Sequence, residues 1–288
     1  MIPLLFQFLL PFLLISSMYN NIDAQKLPLV MLHGIASSKD NLFQLEEFIK
    51  HQFNLEIYNL EIGNGIKDSY SLSMNVQLEI LCNTIYQNEN LKNGFNFLGM
   101  SQGGLLARGY VQYCNLFPVK NLITMVTPHG GVFDKNNVIV KLLNVYSQET
   151  QEDLSFSNYW RDPFQYGLYL TNCTYLPKLN TETYGETINE ISNNLDVLDN
   201  FIMIWSPFDE VLFPPGSGKF STYKPQNENK ELVIEQLIDN IIFKENRLGL
   251  KVMYEQNKLV MYPTDCTHSQ HKEQSCFNQL LPIFKLYF

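Results

Sequence analysis

The stretch Phe95-Asn96-Phe97-Leu98-Gly99-Met100-Ser101-Gln102-Gly103 decides the fold. Phe95 to Leu98 read as a buried strand, and Gln102 to Tyr113 read as an amphipathic helix. Between them the pattern Gly-x-Ser-x-Gly makes a tight turn. Its glycines leave room for a backbone that larger residues would crowd. Such a turn lifts the Ser101 hydroxyl above the sheet, at a helix N-terminus whose N–H groups are unpaired. Five-residue matches of this kind arise by chance; an apolar strand before the motif and a helix after it make this one specific.

Outward from that turn, strands and helices alternate. Strand signals run over Leu27–Leu32, Leu55–Leu60 (ended by Gly63-Asn64-Gly65), Leu122–Val126, Phe201–Trp205 and Leu259–Tyr262. Leu78, Leu81 and Ile85 recur at helical spacing between Ser71 and Gln87, and a further helix is expected near Lys230 to Phe243. This order predicts an α/β protein with a mostly parallel central sheet and helices on both faces. A strand-to-helix turn of this type is the nucleophile turn of the α/β-hydrolase fold. Residues 131–200, rich in Asn, Tyr and short helical pieces, read as a helical insertion before the strand Phe201–Trp205, with no internal repeat or low-complexity linker.

Composition narrows the class. The chain has 288 residues, 45% of them hydrophobic, which is enough for a large core in one domain. Charged residues make up 17% and aromatic ones 13%, which excludes wholesale disorder. With 20 basic against 29 acidic residues the net charge is −9, so no basic stripe for nucleic acid is expected. Residues 1–24 include an apolar run shorter than the roughly 20 residues of a membrane span, and Ala24 fits a cleavage site. They read as a secretory signal peptide, although no Lys or Arg precedes the run; residues 25–288 then form the hydrolase domain, with no later membrane span. Cys82, Cys114, Cys173, Cys266 and Cys276 form neither a CxxC pair nor a zinc-type cluster, so no metal or cofactor is expected. Asn172-Cys173-Thr174 is a glycosylation acceptor pattern.

A serine hydroxyl needs a base, and the base needs an orienting carboxylate. In this fold the chain order is serine, acid, histidine. Asp209 follows the strand Phe201–Trp205, and His268 follows Leu259–Tyr262, both at the carboxyl edge of the sheet where α/β sheets hold their sites. His271 is the rival base, and Glu210 and Asp265 are the rival carboxylates. His33, His51 and His129 read as structural, with His33 and His129 at the border of the site. Donors for a developing oxyanion are expected from the N–H of Gln102 and, in the loop after the first strand, the N–H of Ile35.

On these residues the chain resembles the palmitoyl-protein thioesterases. The resemblance runs through LPLVMLHGI, NFLGMSQGGLLARGYVQYC, NYWRDP, FIMIWSPFDEVLFPP with KFSTY, and finally RLGLK, LVMYPTDCTH and LLPIF. It implies a metal-free lysosomal or secreted enzyme that cleaves long-chain acyl thioesters from S-acylated proteins or peptides, or from acyl-CoA-like molecules. Ser101 would be nucleophile, Asp209 orienter and His268 base, with Ile35 and Gln102 as oxyanion donors. It further implies a Cys82–Cys114 disulfide, a glycan at Asn172, and an insertion that serves as lid or wall of an acyl groove. Two cysteine pairs found in the family, one in the insertion and one near the first loop, are missing here. Cys266 and Cys276 flank His268 as an alternative pair, and the sequence leaves the pairing of Cys173, Cys266 and Cys276 open. Val140, Leu142, Leu143, Leu168, Leu170 and Leu176 are the candidate groove residues. Two other readings stand beside this one: a lipase or carboxylesterase on oxygen esters, and a non-catalytic lipid-binding protein of the same fold.

Overall fold

Leu29–Leu32 (β1) is a run of four apolar residues, all buried, which is how a central parallel strand covered on both faces reads. The computed structural model describes residues 26–137, 143–183, 195–227 and 230–288. The expected signal segment and two groove candidates, Val140 and Leu142, lie outside them. The chain continues through α1 (Phe43–Phe53), β2 (Ile57–Leu60), α2 (Ile66–Ser71), α3 (Met74–Tyr86), β3 (Phe95–Met100), α4 (Gln102–Gly109) and β4 (Val119–Met125). Between β4 and β5 (Asn200–Trp205) lie the short helices α5 (Gln148–Asp153), α6 (Tyr166–Asn172) and α7 (Leu176–Leu179). There follow β6 (Thr222–Tyr223), β7 (Ile234–Glu235), α8 (Ile241–Lys244), α9 (Leu250–Glu255), β8 (Leu259–Pro263) and α10 (Gln274–Tyr287).

Six strands form one parallel sheet in the order β2-β1-β3-β4-β5-β8. This is the expected α/β-hydrolase architecture. Register places Leu32 beside Gly99, Gly99 beside Thr124, Thr124 beside Met203 and Met203 beside Met261. The carboxyl ends of five strands therefore stand in one row, and the loops that leave them meet above it. Because strand side chains alternate between faces, Leu29, Met31, Leu98, Met100, Ile123 and Ile202 pack under α1 and α10. Val30, Leu32, Phe95, Phe97, Leu122 and Phe201 pack under α3 and α4 on the other face.

Two helical readings are revised. α1 escaped notice, although Leu45, Ile49 and Phe53 recur at helical spacing and are its buried face. The helix expected over Lys230 to Phe243 does not form. Instead β7 pairs antiparallel with β6, and helix begins only at Ile241, where Asn240 Oδ1 accepts the Ile242 N–H at 2.9 Å. The β-branched Val233 and Ile234 favour the extended backbone, and Asn240 is a good N-cap, so the helix starts late.

Cys82 and Cys114 are joined with 6.2 Å between their Cα atoms, tying the end of α3 to the π-helical turn Tyr110–Cys114 that extends α4. Cys266 and Cys276 are joined as well, Cα atoms 5.9 Å apart, which fastens the His268 loop to the first turn of α10. Cys173 is a buried free thiol, and burial pushes its pKa up to about 12.

Two outcomes follow for the cysteines. Replacing Cys82 and Cys114 by serine removes a cross-link of 32 residues' separation and is expected to lower the unfolding free energy by about 3 kcal/mol in a denaturant titration. With its thiolate disfavoured, Cys173 is expected to resist iodoacetamide at pH 8 in the folded protein and to react fully in guanidinium.

Candidate active site

The centre is built first from backbone. A Cβ on Gly99 would lie 2.6 Å from both the Gly103 carbonyl oxygen and the Gly104 Cα, and one on Gly103 would collide with the His33 carbonyl. Glycine at both positions lets β3, the first turn of α4 and the end of β1 approach at backbone distance. Ser101 between them has φ 54° and ψ −127°, a conformation a serine adopts only when its surroundings impose it. Its N–H is held by the Met125 carbonyl at 2.8 Å. Gln102 is the first residue of α4, so its N–H has no acceptor within that helix.

Asp209 and His268 come from loops beyond β5 and β8. His268 Nδ1 lies 2.8 Å from Asp209 Oδ2, and both residues are buried. Asp209 Oδ1 accepts the N–H groups of Val211 at 2.9 Å and Leu212 at 2.8 Å, which holds the carboxylate in one orientation. An imidazole held this way keeps its proton on Nδ1 and offers Nε2 as a base.

The rival residues do other work. His271 is buried with both ring nitrogens occupied, Nε2 by the Thr264 hydroxyl and Nδ1 by the Thr267 carbonyl, each at 2.8 Å. Burial lowers its pKa. Glu210 accepts the His268 backbone N–H at 2.8 Å, so it supports the histidine's main chain. Asp265 is exposed, and its own N–H donates to Gln279 at 2.8 Å. His51 is exposed on α1, and His129 is buried flat against Phe220 with its ring centroid 4.7 Å away. Burial, then the nearby Arg108 charge, holds the His129 pKa well below its ordinary value.

A cavity of about 310 Å³ opens beside Ser101 and Ile35, and its walls are apolar: Val132, Phe133, Phe156, Trp160, Leu212 and Phe213. A second cavity of about 520 Å³ continues from Phe133, Asp134, Asn137 and Trp160 and is more polar. The four described groove candidates lie elsewhere. Leu176 is in the core, Leu170 is packed against it, Leu168 is exposed, and Leu143 borders only the second cavity. The actual walls come from the turn after β4, the Ser155–Tyr159 turn and the Asp209 loop. Tyr159 and Trp160 lie inside the NYWRDP block, and Leu212 and Phe213 inside FIMIWSPFDEVLFPP, but none reads in the sequence as a groove wall.

That block proves to be a brace. The Asn158 side chain accepts the Met74 N–H at 2.7 Å, and the Tyr159 hydroxyl donates to Gln102 Oε1 at 3.0 Å. The Gln102 amide in turn donates to the Ser69 carbonyl at 2.7 Å and to Gln77 Oε1 at 3.1 Å. Arg161 pairs with Glu182 at 3.1 Å, both side chains 4% exposed, and also donates to the Tyr223 carbonyl at 2.8 Å. Burial alone would lower the arginine's pKa, but the Glu182 carboxylate more than reverses this and keeps it charged. Asn172, the glycosylation candidate, is exposed at the end of α6.

The chain matches the palmitoyl protein thioesterase family model over residues 28–268. It is 33% identical over 251 residues to Palmitoyl-protein thioesterase 3 of Dictyostelium discoideum, covering 85% of this chain and 86% of that one. Lysosomal thioesterase PPT2-B of Xenopus laevis is 28% identical over 246 residues, 82% of this chain and 83% of its own length. Among solved structures, Aspergillus fumigatus lipase B superposes with a TM-score of 0.50 at 12% identity, over 89% of this chain and 51% of that one. That last likeness is one of fold.

The backbone packing under Ser101 is directly testable. Gly103→Ala places a methyl against the unyielding His33 carbonyl and is expected to destabilise the protein by about 3 kcal/mol. Folded material at low temperature should also react more slowly with a fluorophosphonate serine probe. Unchanged stability together with an unchanged labelling rate would contradict the packing described.

Proposed function

The chain belongs to the palmitoyl protein thioesterase family, hydrolases that act on thioesters, and on that premise we propose that it removes long-chain fatty acyl groups from protein cysteines through an acyl-serine intermediate. The observations that support this reading are Ser101 just beyond the end of β3, a buried His268–Asp209 pair in the loops beyond β5 and β8 of the same sheet, and an apolar cavity beside Ser101. Each methylene buried there contributes about 0.8 kcal/mol, about fourfold in affinity, so the tail can hold the substrate with little recognition of the peptide. A net charge of −9 agrees with a substrate bound through its tail and not through anionic groups.

In the proposed reaction His268 Nε2 takes the Ser101 proton as Oγ attacks the thioester carbonyl. Asp209 holds the ring and stabilises the imidazolium that forms. The N–H groups of Ile35 and Gln102 receive the developing oxyanion. The C–S bond breaks, His268 returns the proton to the leaving thiol, and a water deprotonated by His268 then hydrolyses the acyl-serine. S-acylated proteins or peptides are the proposed substrates.

Relatives carry the name lysosomal thioesterase. No helix among the described residues is long and apolar enough to cross a membrane. We assign residues 1–24 to a secretory signal peptide, residues 25–288 to one hydrolase domain with its insertion at about 131–200, Asn172 to a glycan, and the compartment to the lysosome.

Ser101→Ala is expected to lower palmitoyl-thioester turnover by at least about 10³-fold in a folded protein, and Asp209→Asn by a similar factor. Across acyl thioesters of 4 to 16 carbons, kcat/KM should climb by up to about fourfold per added methylene until the cavity is filled. Matched oxygen esters should turn over more slowly. A flat length profile, or full activity in Ser101→Ala, defeats the proposal.

A further inference from the structure

The HisGly pair after β1 holds a contact that the reaction above does not use. His33 is 2% exposed, and its Nδ1 lies 2.9 Å from the Gly34 carbonyl oxygen. Its Nε2 lies 2.5 Å from Glu61 Oε1, and the other carboxylate oxygen of Glu61 accepts the Lys39 N–H at 3.1 Å. The Ile62 N–H also donates to Nε2, at 3.4 Å. Nδ1 thus faces the Gly34 carbonyl, which only an Nδ1–H can satisfy, while Nε2 faces Glu61 and the Ile62 N–H.

The consequence lies one atom further on. Gly34 and Ile35 are joined by a trans peptide bond, since the one cis bond among the described residues is Phe213–Pro214. In a planar trans peptide the C=O and the next N–H point in opposite directions. Holding the Gly34 oxygen against His33 therefore turns the Ile35 N–H the other way. Gly34 sits so close to the nucleophile that a Cβ on it would be 2.9 Å from Ser101 Cβ, and Ile35 lines the cavity at Ser101. The Ile35 N–H has no acceptor among the described residues. The His33 carbonyl is packed on Gly103, which prevents the residue from rotating as a whole.

We propose that His33, anchored by Glu61, is a positioning residue: its contact with the Gly34 carbonyl sets the Gly34–Ile35 peptide so that the Ile35 N–H faces the acyl carbonyl at Ser101. This rests on the thioesterase reading. His33 touches no reacting atom and acts through a peptide plane that would otherwise be free to flip. A flipped plane would present a carbonyl oxygen where the reaction develops negative charge, and this is the cost that the His33 contact prevents.

The test uses the full chain with palmitoyl-CoA as the thioester and a fluorophosphonate probe as a second readout. His33→Ala is expected to lower kcat about 10²-fold, the usual scale for losing one oxyanion donor, with KM within about threefold of wild type. His33→Asn, whose amide N–H can stand in for Nδ1–H, should recover at least about tenfold of that loss. Glu61→Gln should lower kcat several-fold at unchanged KM. A kcat for His33→Ala within threefold of wild type, an Asn variant no better than the Ala variant, or a loss borne by KM would each overturn the proposal. If His33→Ala does not fold, His33→Asn and Glu61→Gln decide on the same terms. Failure of wild type to hydrolyse the thioester would sink the thioesterase reading alone. The rate of Ser101 labelling, expected to fall at least tenfold in His33→Ala, would still decide the role of His33.

Discussion

Everything at this site depends on three pieces of backbone touching where no side chain fits. The end of β3, the first turn of α4 and the loop after β1 meet through Gly34, Gly99 and Gly103, and a single methyl on any of them lands on a neighbour. That contact forces the unusual Ser101 backbone and puts Ser101 at a helix N-terminus. Van der Waals exclusion, not attraction, sets the geometry, and the hydrogen bonds around it hold what the packing has already placed.

Around this centre the polar groups divide the work of keeping soft parts still. Asp209 spends one oxygen on two backbone N–H groups and the other on His268, so the histidine sits on a carboxylate that cannot swing. The segment between β4 and β5 packs apolar residues such as Tyr175, Leu176 and Leu179 into the core and is also fastened by buried polar contacts: Tyr159 to Gln102, Asn158 to the start of α3, and Arg161 to Glu182. A buried ion pair contributes little net stability, yet losing one partner costs several kcal/mol, so it acts mainly to specify one arrangement. The apolar cavity walls of Phe133 and Trp160 are positioned by that arrangement.

Much of this was legible in the sequence, and the division follows from the range of each signal. The turn at Ser101 is a local steric demand written in adjacent glycines, and Asp209 and His268 each follow a strand whose apolar run marks it. The cavity walls were not legible, because Phe133, Phe156 and Phe213 come from three loops with no period of their own. Leucines such as Leu168 and Leu176 looked equally suitable and went to the surface and the core. The segment near Ile234 was misread as helix because its apolar residues permit either period, and only pairing with Thr222–Tyr223 decides between them. His33 reads as structural in the sequence, and its link to the Gly34 carbonyl is visible only when Glu61, from the end of a neighbouring strand, is seen on the ring's other side.

The strand order also sets a timetable. β8 lies at the sheet edge and comes latest in chain order among the described strands, and the loop carrying His268 follows it, closed by Cys266 and Cys276. Domains form as their segments are synthesised, so the Ser101 turn and most of the sheet precede the His268 loop. A nascent chain with Ser101 in place but β8 undocked lacks the His268–Asp209 pair. The His268–Asp209 pair is thereby completed only in the molecule in which β8 has joined the sheet and the Cys266–Cys276 bridge has closed.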